Sequence, residues 1–377
     1  MASSEPLVRS LHLPVIAEML DRDAHARRPR AVDFRIGVAG RDAAPHYPGE
    51  RPDSSVLIAG GRVLPLTPSP VGSGWAVVDG VSASDLDDWL SLRGFPRLDE
   101  RVAVLAYGSN ANPQEVEKFS RGEAVVSLAG TLFGAGAAYC SSTRTDGQYP
   151  AGLALTDPSR GERHSLLLID PDSQAALDRK EGAGRGFYEC CLIKTGSGID
   201  FVLDDGSAWR GGLPAYLQGE HRRLAIVGSR PVLVSEVTQA ELRLRVLEDA
   251  SADFAPVAAT CSSLPRLSTV PVPVFAYGTL QPGESRWNAI RDLIATTGTG
   301  RMTGRKVDTG FGFPGLVIDP DASTDGTLLH PEPASYRRLL AQLDRIEGHP
   351  DLFTRQLHRL ASGMLAWAYI WNGPLPE

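Results

Sequence analysis

Two glutamates close the same phrase. "LDRKEG" occupies residues 177–182 and "LDRIEG" residues 343–348, with five of six letters shared. In the second, Tyr336, Leu339, Leu340, Leu343 and Ile346 recur at i, i+3, i+4, i+7 and i+10, the apolar stripe of an amphipathic helix. Glu347 falls at i+11, and at about 100° per residue that returns it to the stripe. Its carboxyl is expected to face the core, with Gly348 ending the helix as a C′ glycine does. Leu177 and Glu181 share a face in the same way and Gly182 follows, although "SQAALDRK" offers only Ala175, Ala176 and Leu177 to a core. A carboxylate on an apolar face costs free energy unless it is paired or used. Desolvation raises its pKa, which suits a proton carrier near neutral pH. The plain alternative is a glutamate satisfied by backbone N–H groups of a neighbouring loop.

Each glutamate is preceded by a turn that could hold an anion. "VAVLAYGSN" (102–110) and "VPVFAYGTL" (272–280) run an apolar, β-prone segment into Tyr-Gly. Glycine there permits a sharp turn with successive N–H groups exposed, a cradle for a carboxylate or a developing oxyanion. A bare strand-to-helix turn would look the same. A third echo, "YPAGLAL" from Tyr149 and "FPGLVI" from Phe313, lies between turn and glutamate in both halves. Tyrosine to glutamate is 74 residues in one half (181 − 107) and 70 in the other (347 − 277). Three matches in one order predict a duplicated domain.

The elements that must position these residues follow from that repeat. The first copy is expected over 100–262 and the second over 271–377, after the Ser/Pro-rich linker "CSSLPRLSTVPVP". Residues 1–99 form a leader, expected to be partly ordered and to pack on the first copy. One helix is expected there near "SASDLDDWLSLRG", capped by Ser84, with acids in its first turn and Gly94 at its end.

In combination, these motifs resemble the gamma-glutamyl cyclotransferase family. The first copy is similar to the gamma-glutamylcyclotransferase branch, in "YGSN" and in "LPAYLQGEHRRLAIVG"; the second resembles the gamma-glutamylamine cyclotransferase (AIG2-like) branch, in "YGTLQPGESRW", "FPGLVI" and "LDRIEGHPDLFTR". The resemblance implies an α+β fold: two tandem mixed β-barrels with flanking helices, each with a cavity at one mouth, plus the leader. It implies that Glu347 and Glu181 are the acid/base groups. The substrate-binding loops would be Tyr277, Gly278, Thr279 and Leu280, and Tyr107, Gly108, Ser109 and Asn110. The reaction implied is attack of a substrate's own α-amine on its γ-carbonyl, releasing 5-oxoproline and a free amine or amino acid. The ligand is then a small-molecule γ-glutamyl amine or amide, and no metal or cofactor is required. The second copy departs from the family at Phe353, where tyrosine is usual. The first carries Lys180 before its glutamate and the glycine-rich "EGAGRGFYE" after it, with Tyr188 in its favour. The second is the better preserved motif set. A related amidohydrolase or acyltransferase of a tailoring pathway, or a binding protein with degenerate sites, remains open at this stage, because fold does not fix function.

Other classes are disfavoured. The chain has 377 residues, 42% hydrophobic and 22% charged, with a formal net charge of −7. That is an ordinary soluble composition with no sign of nucleic-acid or anionic-membrane binding. Its apolar runs are too short to span a bilayer, and "MASSEPLVRSLHLPVIAEML" does not read as a signal peptide. Cys140, Cys190, Cys191 and Cys261 form no CxxC pair and are expected as buried thiols of a reducing, cytoplasmic setting. "GTGRMTGRK" (298–306) lacks Walker spacing, "SSTRTDG" (141–147) reads as a polar turn, and "ELRLRVLED" (241–249) reads as a charged helix after a Thr238–Glu241 capping box. Ser109 or Ser141 as a hydrolase nucleophile lacks a matching His/Asp order.

Overall fold

The computed structural model describes residues 47–374 except 70, 197, 252–253 and 255–256. The architecture is α+β, mostly strands with few helices. Two sheets carry the matched motifs. In the N-terminal sheet, Val125–Phe133, Gly161–Ile169, Val102–Ala106, Gly212–Gln218 and Tyr188–Lys194 are successive neighbours. All pair antiparallel except Val102–Ala106 with Gly212–Gln218, which is parallel through Leu105 and Ala215. In the C-terminal sheet the order is Ile294–Thr303, Ser323–Pro331, Val274–Ala276, Leu365–Trp371 and Phe353–Arg359. There too the one parallel pair joins the Tyr-Gly strand to its neighbour, Val274 opposite Trp367. The two five-strand arrays therefore share order and direction.

The expected barrels do not form: among the described residues neither sheet closes on itself. The N-terminal sheet instead grows outward. Val56–Ala59 pairs with Val125–Phe133 and leads through Arg62–Pro68 and Trp75–Asp79 to Ser82–Asp85. Adding strands from the leader satisfies an edge that closure would otherwise have satisfied. Residues 56–85 thus belong to the same sheet as the first Tyr-Gly strand, and the leader up to residue 46 lies outside the described residues.

The first Tyr-Gly strand is buried on both faces. Val102–Ala106 is buried at every position, and its side chains feed two separate apolar clusters. Cys190 and Cys191, neighbours on one strand, fall into different clusters, as alternation requires; Cys140 is also buried and Cys261 partly exposed. Arg101 is fully buried, its guanidinium donating to the carbonyls of Ala124 and Pro96. The two sheets dock through polar ties: Arg337 to Asp205 at 2.6 Å, Arg359 to Asp200 at 3.0 Å, and Tyr336 Oη to the carbonyl of Gly206.

Two helices differ from expectation. The one in the leader spans Leu86–Ser91, and its cap is Asp85, not Ser84. Ser84 and Asp85 both lie in the hairpin strand, opposite Val77 and Ala76, and the helix begins only at Leu86, which makes Asp85 the residue at its N-terminus. Asp85, one residue on, accepts from the N–H groups of Asp87, Asp88 and Ser73 and from the Ser73 hydroxyl. The helix after Thr238 keeps its capping box but ends at Arg243, and Glu248–Ala250 is a strand. Asp85→Ala should cost about 1–2 kcal/mol, the usual worth of a cap. Ser84→Ala should stay within about 0.5 kcal/mol, as exposed substitutions do. Equilibrium urea unfolding of the two variants checks the assignment, and equal losses would refute it.

Candidate active sites

Both glutamates come to lie against their own Tyr-Gly turn. The helix Tyr336–Glu347 buries Tyr336, Leu339, Leu340, Leu343 and Glu347, so the stripe read from spacing is the packed face. Gly348 follows at φ 63°, the left-handed value that terminates a helix. The helix Gln174–Glu181 ends at Gly182 with φ 71°, but buries only Leu177. A single leucine does not explain why so short a helix sits where it does.

A chain of hydroxyls does. Tyr107 Oη donates to the carbonyl of Tyr216, and Tyr216 Oη donates to Asp178, the aspartate of the "LDRKEG" phrase. The C-terminal site repeats this chain: Tyr277 Oη donates to the carbonyl of Tyr369 at 2.6 Å, and Tyr369 Oη to Asp344 Oδ1 at 2.7 Å. In each site the turn tyrosine ties its strand to the parallel neighbour, and that neighbour's tyrosine ties the helix one turn before the glutamate. Sequence reasoning did not single out Asp178, Asp344, Tyr216 or Tyr369. The signal was present, since both phrases carry aspartate three residues before glutamate.

The glycines of the turns are required by space. Gly108 has φ −117°. A Cβ there would come within 2.8 Å of Tyr47 Oη and 3.4 Å of the Ala151 Cβ, while one at Gly278 would meet Pro314 Cγ at 2.8 Å. Neither glycine takes a left-handed φ. Ser109–Ala111 is instead one 3-10 turn, whose opening N–H groups have no partner within it.

The N-terminal cavity has a volume of about 250 Å³. Glu181 lies in its wall, half-buried, and accepts from Asn110 Nδ2 at 2.8 Å. Lys180 Nζ donates to Asn110 Oδ1 at 2.6 Å and stands 3.5 Å from Glu115. Asn110 therefore bridges the cation and the carboxylate. Burial raises the pKa of Glu181, opposed by Lys180 and by the Asn110 bond. Arg144, Arg185 and Arg222 also line the cavity. Tyr188 lines it too, with its hydroxyl donating to the Ala151 carbonyl at 2.8 Å.

The C-terminal cavity is about 20 Å³, on the order of one water molecule. Phe313 and Arg286 are in its wall, the guanidinium carbon 5.5 Å from the ring centre. Phe313 is further held by Phe353 and Trp371, at 6.0 and 6.2 Å between centroids. Its counterpart Tyr149 does not close the first cavity. The Tyr149 main chain is held by Gln239, which accepts its N–H at 3.0 Å and donates to its carbonyl at 2.7 Å. Glu347 is 8% exposed, and burial pushes its carboxyl up to about 7, with Arg286 the opposing charge.

Residues 274–377 match the model of the gamma-glutamyl cyclotransferase, AIG2-like family. No curated protein matches the chain. Among solved structures, YkqA from Bacillus subtilis aligns at 11% identity and a TM-score of 0.24, over 74% of this chain and 86% of that one. A serine-to-alanine variant of the allophanate hydrolase of Kluyveromyces lactis aligns at 13% identity and 0.22, over 72% of this chain and 35% of that one. At those TM-scores neither likeness bears on fold or activity.

The Glu347 pKa makes a stability prediction. The folded value of about 7 lies above the ordinary 4.5, so the folded chain holds this proton more tightly. The group favours folding fully below pH 4.5, and that contribution is lost as pH rises through 7. Over 2.5 units (7 − 4.5) the loss is on the order of 3 kcal/mol. Glu347→Gln should match wild type at pH 4 and exceed it in urea-unfolding stability by pH 8. A difference that stays constant with pH would rule out a desolvated carboxylate.

The C-terminal sheet, its Tyr-Gly turn and its buried glutamate all lie within residues 274–377, which carry a gamma-glutamyl cyclotransferase, AIG2-like domain.

Proposed function

We propose that the chain is a γ-glutamyl cyclotransferase built from two copies of one domain, over 100–262 and 271–377, with Glu181 and Glu347 as acid/base groups. The observation that carries this reading is the repeated placement of a desolvated glutamate against a Tyr-Gly turn. The common strand order and the common tyrosine–tyrosine–aspartate chain support the duplication.

The substrate's glutamyl unit binds with its γ-carbonyl oxygen toward the opening N–H groups of the 3-10 turn. The glutamate carboxylate takes a proton from the α-ammonium group. The freed amine attacks the γ-carbonyl carbon, forming the ring C–N bond. The glutamate then returns its proton to the nitrogen of the departing amine as the original amide bond breaks, and the second proton shed by the ring nitrogen leaves with that amine, which departs as its ammonium ion. The products are 5-oxoproline and the free amine or amino acid. Attack within one molecule needs orientation more than activation, so no enzyme nucleophile is called for. The turn N–H groups offset the charge that develops on oxygen.

The two sites are not equal in this reading. The motif set favours Glu347, and the room available favours Glu181: about 250 Å³ against about 20 Å³. Room decides, because a cavity of about 20 Å³ must widen before it can hold a glutamyl unit. Incubation with a panel of γ-glutamyl amines and amino acids, with 5-oxoproline as readout, tests the reaction. Glu181→Gln should lower kcat/KM by about 10²–10⁴, the range for loss of a general acid/base, and Glu347→Gln by less. If neither change slows a measurable release, the acid/base assignment falls; if no panel member releases 5-oxoproline, the reaction does.

A further inference from the structure

The first atom that a side chain at Gly108 would meet comes from outside the repeat. Tyr47 is 9% exposed and lines the N-terminal cavity together with Glu181. Its Oη accepts the Ala151 N–H at 2.6 Å, and lies 2.8 Å from where a Cβ on Gly108 would stand. Among the described residues, that hydroxyl donates to no protein acceptor. The same short strap is pinned twice more. Arg51 Nη1 donates to the Tyr107 carbonyl at 3.3 Å, and a side chain at Gly49, where φ is +84°, would run into Asn112. Asn112 caps the helix Pro113–Ser120, so the strap is wedged between that cap and the turn. Every residue lining the C-terminal cavity, in contrast, comes from 275–369.

We propose that Tyr47 is a substrate-binding residue of the N-terminal site, donating its hydroxyl hydrogen to an oxygen of the glutamyl unit. One lone pair is taken by Ala151 N–H, which fixes the oxygen and leaves the O–H to turn into the cavity. Burial raises the phenol far above its ordinary value, so it stays protonated and serves as a donor, not a base. A segment unrelated to the repeat thus sets one site apart from the other and selects ligands that carry an oxygen acceptor beside the turn.

The assignment rests on the reaction proposed above, and the test separates the two. Tyr47→Phe keeps the ring and removes the hydroxyl, both the proposed donor and the acceptor of the Ala151 N–H. Both acceptor classes of the glutamyl unit, carboxylate and carbonyl oxygen, persist in 5-oxoproline. KM for a releasing γ-glutamyl substrate and the inhibition constant of 5-oxoproline should therefore rise together by about tenfold, one net hydrogen bond, with kcat nearly unchanged. The Glu347→Gln chain serves as parent, so that the N-terminal site is read. A merely structural role would lower the active fraction, and so kcat, and leave both constants in place; that outcome overturns the proposal. Hydrogen exchange on the unaltered chain gives a second reading, independent of how the variant folds. Adding 5-oxoproline should slow exchange in 47–51 together with 107–110, and protection of 107–110 alone overturns the proposal. If the unaltered chain releases no 5-oxoproline the reaction falls, and if only the Glu347→Gln parent is silent the turnover belongs to the C-terminal site; in either case Tyr47 stands or falls on exchange protection.

Discussion

One hydrogen-bonded chain decides where each glutamate points. The Tyr-Gly strand and its parallel neighbour are joined by few main-chain contacts, with a single register pair on each side. The turn tyrosine crosses that seam, and the second tyrosine carries the tie to the aspartate of the helix. Buried hydroxyls and carboxylates are costly when unpaired, so such a chain is strongly specified once formed. It fixes the helix by its last turn. That is the part that must not move if a carboxyl at the end is to face a set of peptide N–H groups. The short helix Gln174–Glu181 has little apolar surface to hold it, and depends on this tie more than the longer helix does.

Around this common frame the two sites diverge through what fills the space beside the glycine. At Gly278 it is Pro314, from the same half of the chain; at Gly108 it is Tyr47, from the leader. The Gln239 clamp on Tyr149 leaves the first cavity open, and the aromatic stack of Phe313, Phe353 and Trp371 closes the second. The charges differ too. Glu181 shares its site with Lys180 and three arginines, whereas Arg286 is the cation beside Glu347. The carboxyl with fewer cations nearby is the one driven up to about 7.

The repeated phrases made the buried glutamate legible because periodicity reports burial directly. A glutamate on the stripe of Tyr336, Leu339, Leu340 and Leu343 has to face the core, and it does. The Tyr-Gly turns were legible as strand ends. The reason for their glycines was not, because close approach of Tyr47 or Pro314 is a fact about space that spacing does not carry. The cap at Asp85 was missed by one residue, since the hairpin strand runs through Ser84 to Asp85 and the helix starts only at Leu86.

The amino-acid order by itself determined the local pieces: which helix face is apolar, where each helix stops, which strands precede a turn, and that the same set occurs twice. Those follow from interactions a few residues apart. Only the tertiary structure decided that the sheets stay open, that the leader supplies strands to one of them, and that a leader tyrosine reaches the first glutamate's cavity while, among the described residues, the second is lined by its own half alone. Each of these depends on pairing between residues tens to more than a hundred positions apart. There the outcome is set by which edges and cavities remain to be filled after the local pieces form.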